Sequence, residues 1–158
     1  MGDKEGCFMN PLTSQFWIGI GVAVLCGGIV GLERQIRGKA AGIRTNILIC
    51  LGTSIFVQLG VTFAGPQTDP TRVLGQVAVG IGFLGAGVII AREGLVKGVT
   101  TAAVIWVLAG IGAIVGFGNF AAAIVLAIVT VGILSGIELL EKGVRWLRSG
   151  EHEREDEG

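Results

Sequence analysis

Residues 99–137 read VTTAAVIWVLAGIGAIVGF, GN, FAAAIVLAIVTVGILSGI, two apolar runs with no charged side chain, separated by a turn at Gly118 and Asn119. A hydrocarbon core of about 30 Å takes roughly 20 helical residues, and a span of about 17 is still long enough. Lipid offers no partner to a free amide, so runs of this kind must be helical where they cross it. This pair decides the fold class.

Working outward, residues 16–32, 45–64 and 73–91 form three more charge-free runs, each of about 17 to 20 residues and each long enough to span. The expectation is an all-α, polytopic membrane bundle of about five short, glycine-rich helices. It divides into an extracytoplasmic segment 1–15, a five-helix domain 16–137, and an amphipathic extension with a disordered charged tail at 138–158. Between the second and third runs Gly65, Pro66, Asp69 and Pro70 break the chain. Asp69 before Pro70 reads as an N-cap with proline in the first turn.

Composition agrees. Hydrophobic residues make up 51% of the 158 and charged residues 15%, with a mean hydropathy of +0.75, far from the balance of soluble domains. Lys plus Arg and Asp plus Glu each total 12, which leaves no global field to favour nucleic acid. The 28 glycines lie among Ile, Val, Leu and Ala. There they read as packing residues, because helices in lipid associate through close backbone approach rather than through the hydrophobic effect. Gly27 with Gly31, Ala78 with Gly82 and Ala86, Gly112 with Gly116, and Gly132 with Gly136 have the small-xxx-small spacing, and Gly85 and Gly87 are further expected packing positions on the third of the five runs. Glycine faces left over by a small bundle point to self-association, as a dimer. Cys7, Cys26 and Cys50 read as small hydrophobes rather than a disulfide framework.

Orientation follows from the cations. Arg34, Arg37, Lys39, Arg44, Arg92, Lys97, Lys142, Arg145, Arg148 and Arg154 fall on one side, against Lys4 and Arg72 on the other. The basic side is expected in the cytoplasm, which puts the amino terminus outside and the carboxyl terminus inside.

Catalytic chemistry has little to use: one histidine, His152, in the charged tail, and no tyrosine. No catalytic residue is assigned. Gly80-Ile81-Gly82-Phe83-Leu84-Gly85 matches a dinucleotide fingerprint in letters only, since it lies inside an apolar run without the strand that motif requires. Asn46, Thr53, Ser54, Gln58, Gln76, Thr100 and Thr101 are the polar groups at membrane depth, read as interhelical hydrogen bonding in preference to an ion path. Glu33, Asp69 and Glu93 are the candidate ligands if Mg2+ binds; no cofactor is otherwise expected.

The segment Gly31-Leu-Glu-Arg-Gln-Ile-Arg-Gly-Lys-Ala-Ala-Gly-Ile-Arg-Thr45 concentrates four cations and one carboxylate at a membrane border. It reads as a cytoplasmic functional surface of Glu33, Arg34, Arg37, Lys39, Arg44 and Thr45, with Arg92 and Lys97 beside it and Asp69 and Arg72 at the outer border. Glu33 and Arg34 are expected to pair. Arg37 and Lys39 have no acidic neighbour in sequence, which leaves them for anionic lipid headgroups or an acidic membrane-protein partner. The first two runs with their basic loop, and the next two with theirs, echo each other from arginine through glycine to threonine, an arrangement that would set both loops side by side.

Residues 31–45, Asp69-Pro70-Thr71-Arg72-Val73, residues 80–89, and Thr100-Thr101-Ala102-Ala103 with Trp106 together resemble the MgtC/SapB family of bacterial inner-membrane proteins, over roughly residues 19–136. The resemblance implies a role in magnesium homeostasis, low-magnesium growth and, in pathogens, virulence inside macrophages. The longer members look like regulators of other membrane systems, including the ATP synthase, more than magnesium carriers. Here only a short charged tail is expected after the fifth span, so the shorter SapB-like branch is the nearer comparison; Phe120 also stands where many relatives are expected to have a tyrosine. A regulator acting through membrane-protein contacts is the leading expectation, a small magnesium transporter or channel the alternative, and an enzyme the least expected.

Overall fold

The computed structural model describes residues 11–64, 69, 71–92 and 95–155, with the backbone alone for Arg92 and residues 138–155. The chain forms α1 (Ser14–Ile36), α2 (Ile43–Thr62), α3 (Thr71–Gly87), β1 (Ile90–Arg92), β2 (Leu95–Lys97), α4 (Val99–Gly116) and α5 (Phe120–Glu155). Four helices are long and apolar enough to cross a membrane, and α3, with 17 residues, is a shorter apolar helix. The protein is a multi-pass membrane helix bundle.

The central element is α2, gripped on two sides by glycine seams. A Cβ on Gly27 or Gly31 of α1 would stand 2.6 Å from the Cα of Ile47 or Ile43. On the other side, one on Gly112 or Gly116 of α4 would run into Cys50, Thr53, Ser54 and Val57. Real carbon contacts are nearer 3.5–4 Å, so these glycines permit helix separations that no other residue allows. Gly85 adds a looser contact, its Cβ position 3.7 Å from Ala102 Cβ, and seats α3 on α4. The seams expected at Gly82, Gly132 and Gly136, and the packing role of Gly87, are not used among the described residues: a Cβ at any of the four meets nothing of theirs within 4 Å. On α3 only Gly85 is buried, which leaves Ala78, Gly82 and Ala86 on its exposed side.

Polarity is distributed as lipid demands. The interior holds Val30, Cys26, Cys50 and Leu108 together with buried Glu33, Arg34, Asn46, Thr53, Ser54, Gln58 and Thr101, while Trp17, Leu48, Phe56, Phe83, Trp106 and Ile133 face outward. Cys26 and Cys50 are free and buried; Cys7 lies outside the described residues.

Three elements differ from their sequence reading. The apolar run 73–91 is helical only to Gly87, after which Ile90 pairs with Lys97, Ala91 with Val96 and Arg92 with Leu95 in an antiparallel hairpin. β-Branched Val88-Ile89-Ile90 favours extended backbone. Gly98 closes the unit at φ +92°, where a Cβ would overlap the Val88 carbonyl. Second, α1 runs on to Ile36, so Glu33 and Arg34 belong to its last turn rather than to a loop, and Arg37 is its C-cap. Third, the α5 backbone stays helical to Glu155, whereas residues from 151 were expected to be disordered. Extending an existing helix costs far less than nucleating one.

The expected turns are present where described. Gly118 has φ +82°, and Asn119 Oδ1 accepts the Ala122 N–H at 3.3 Å to cap α5. Asp69 Oδ1 accepts the Thr71 N–H at 2.9 Å. That bond, joined by one from the Thr71 side chain and by the charge of Arg72, holds the Asp69 carboxyl below its usual range.

Candidate functional site

At the end of the bundle where α1 stops and α4 starts, the last turn and C-cap of α1 bring three charges together, Glu33, Arg34 and Arg37. Residues four apart share a helix face, and Arg37 Nε lies 2.6 Å from Glu33 Oε1. Arg34 Nη1 stands 3.8 Å from Glu33 Oε2, with both side chains almost wholly buried. Arg34 also reaches across the bundle, its Nη2 donating to Thr101 Oγ1 at 3.4 Å. Proximity rather than aligned bonding joins the pair: among the described residues neither oxygen of Glu33 nor the Nε of Arg34 has a hydrogen-bond partner. Buried groups left so are uncommon, and their usual place is a functional site.

The connection that follows is bent tightly. Gly38 and Ala41 both take left-handed backbone, at φ +62° and +60°, and for alanine that conformation costs roughly 1–2 kcal/mol. Asn46, fully buried, donates from Nδ2 to the Ala41 carbonyl at 2.7 Å, and Gln35 Oε1 accepts the Ile43 N–H at 3.4 Å. The strained turn is therefore fixed from both helices. Strain held in this way recurs at binding sites.

A cavity of about 1140 Å3 opens beneath this turn. Glu33, Arg34, Lys39, Lys97, Thr100 and Thr101 line its head, and the facing sides of α4 and α5, from Ala103 to Ile114 and from Leu126 to Ile137, form its walls. Both basic connections thus contribute to one space.

Other expected residues stand apart. Arg44 and Thr45 are exposed on the first turn of α2, and Gln76 is exposed on α3. Asp69 and Arg72 lie at the start of α3, the end remote from the hairpin. Glu93 lies outside the described residues, as does the Arg92 side chain. Gln58 is buried in α2, while Ser54 donates to the Leu51 carbonyl of its own helix at 2.7 Å. Interhelical bonding, expected for all these polar groups, is seen at Thr101; the bonds of Asn46 and Ser54 are local because short side chains reach neighbouring carbonyls first. Arg37, expected to lack an acidic neighbour, has Glu33 one turn back, a spacing visible in sequence. Trp106, noted in the sequence only for the family resemblance, joins the cavity, as does Thr130, which had not been singled out; Thr130, whose hydroxyl donates to the Leu126 carbonyl, is the lone hydroxyl within 120–133 and carried a signal. Among the described residues no three of His, Cys, Asp and Glu gather into a metal site.

This architecture has known relatives. Residues 20–143 match the MgtC family. The chain belongs to that family. Protein MgtC of Salmonella typhimurium is 45% identical over 108 residues, covering 68% of this chain and 46% of that one. Protein MgtC of Brucella abortus is 42% identical over 125 residues, covering 79% and 51%. A protein of Escherichia coli K12 named "Putative magnesium transporter YhiD" is 39% identical over 130 residues, covering 78% and 60%. The chain thus spans about half to three fifths of the length of these relatives. No solved structure matches it.

Proposed function

We propose that this MgtC-family protein serves magnesium homeostasis as a non-enzymatic regulator, contacting other membrane proteins through its basic end. One observation carries the reading. Glu33, the one carboxylate among the described cavity residues, lies within 4 Å of two arginines and shares the cavity head with Lys39 and Lys97. A divalent magnesium ion seeks carboxylates and keeps most of its waters, so a head with three cations and one already-paired acid repels it. An acidic segment of a partner would be attracted.

The transporter reading draws on the name of the Escherichia coli relative and on the size of the cavity. Purified protein in liposomes separates the two: the regulator reading expects magnesium flux no greater than in empty liposomes, and flux above that control would establish transport. The split of cations, ten to two, supports a bacterial inner-membrane orientation with the basic end in the cytoplasm. A cysteine at Lys39 should then react with an impermeant maleimide only in broken cells, and one at Asp69 in intact cells; the reverse pattern would invert the topology.

A further inference from the structure

We infer that the cleft between α4 and α5 is a binding site for one anionic phospholipid, its phosphate at Arg34, Lys39 and Lys97 and an acyl chain along the two helices. The inference deepens the reading of the basic end given above and rests on its preference for anions.

Three observations converge. The head of the cleft carries three cations against Glu33, and Glu33 is itself paired with Arg37 outside the lining. Arg34 is 3% exposed and lines the cleft, yet its Nε–H has no acceptor among the described residues. A buried guanidinium donor without a partner is costly, and phosphate oxygens are the acceptors its planar fork suits best. Below the head the walls turn apolar, with Val107 and Ile111 of α4 facing Val129 and Ile133 of α5.

Length selects a lipid over a soluble anion. From Thr100 to Ile114 the α4 wall rises about 21 Å at 1.5 Å per residue. Half of a bilayer of about 40–45 Å, headgroups included, is the same depth. A soluble phosphate would fill the head and leave the apolar walls bare. A zwitterionic lipid would fill the walls but bring a further cation to a head already rich in them. A single chain with an anionic head satisfies both parts.

Native mass spectrometry of the purified full-length protein tests this, with phosphatidylglycerol and phosphatidylethanolamine titrated separately. The wild type should retain one phosphatidylglycerol in clear preference. Each cation near an anionic surface contributes about fivefold in affinity, so Lys39→Gln with Lys97→Gln should weaken retention about thirtyfold. Both lysines are exposed, so this variant should fold. Gly110→Leu supplies the second arm: Gly110 lines the cleft and a Cβ there meets nothing within 4 Å. The leucine should obstruct the chain and cut retention of the lipid while thermal stability holds. Equal retention of the two lipids, full retention by the double lysine variant, or displacement by millimolar glycerol phosphate would each overturn the proposal. Because binding is read on isolated protein, liposomes that conduct magnesium would refute the regulator reading and leave the lipid result standing.

Discussion

Replacing Glu33 by Gln removes the negative charge that lies between two arginines. At about 4 Å and an effective dielectric constant near 20, one unit-charge pair is worth about 4 kcal/mol. Arg34 stands 3.8 Å away with 4% of its side chain exposed, so it would lose its counter-charge while staying desolvated. Breaking a buried pair from one side costs about 3–5 kcal/mol, and Glu33→Gln should fall in that range. Arg34→Met should cost less, about 1–2 kcal/mol, because Glu33 keeps Arg37 at 2.6 Å and methionine suits a partly apolar cavity wall. The double variant should be more stable than Glu33→Gln alone, with a coupling of about 2 kcal/mol. Reversible unfolding in mixed detergent micelles measures all three. If Glu33→Gln cost under about 1 kcal/mol, or if the two changes simply added, the pair would not be the buried electrostatic unit that its distances indicate.

Two further outcomes follow from the packing and the caps. Gly112→Leu should prevent folding or sharply lower thermal stability, since a Cβ there already overlaps the Cys50 carbonyl, whereas Gly82→Leu should leave the fold intact; any effect of Gly82→Leu would lie in oligomer size, the measure of the self-association expected from the glycine pattern. The Asp69 carboxyl is held below its ordinary range by the Thr71 N–H. A lowered folded value means that its contribution is present above the ordinary Asp pKa of about 3.9 and is lost as the pH falls through the folded value. Asp69→Ala should remove that acid-side loss from the stability profile, and an unchanged profile would refute the capping role.

The membrane bundle was legible from the linear sequence because its cause is local: a charge-free run of sufficient length has no stable state in lipid other than a helix. The same holds for the α4–α5 turn, for the Asp69 cap, and for the gathering of cations at one end. The boundary of α3 was not legible. An apolar run that ends in β-branched residues fits either conformation, and the hairpin was decided by Gly98, whose left-handed backbone lets the chain pass close to Val88.

The glycine seams show the limit most clearly. Gly82 and Gly112 both stand in small-xxx-small spacing among apolar residues, yet only Gly112 meets another helix, because the sequence encodes a helix's faces but not which face turns to α2. The site divides along the same line. Sequence alone determined that Glu33, Arg34, Lys39 and Lys97 occupy one end of a membrane bundle. Tertiary packing decided that Arg34 crosses to Thr101, that Glu33 is committed to Arg37, and that a cleft runs from those charges down between α4 and α5, since distances between helices far apart in the chain are set by which small residues let their backbones meet.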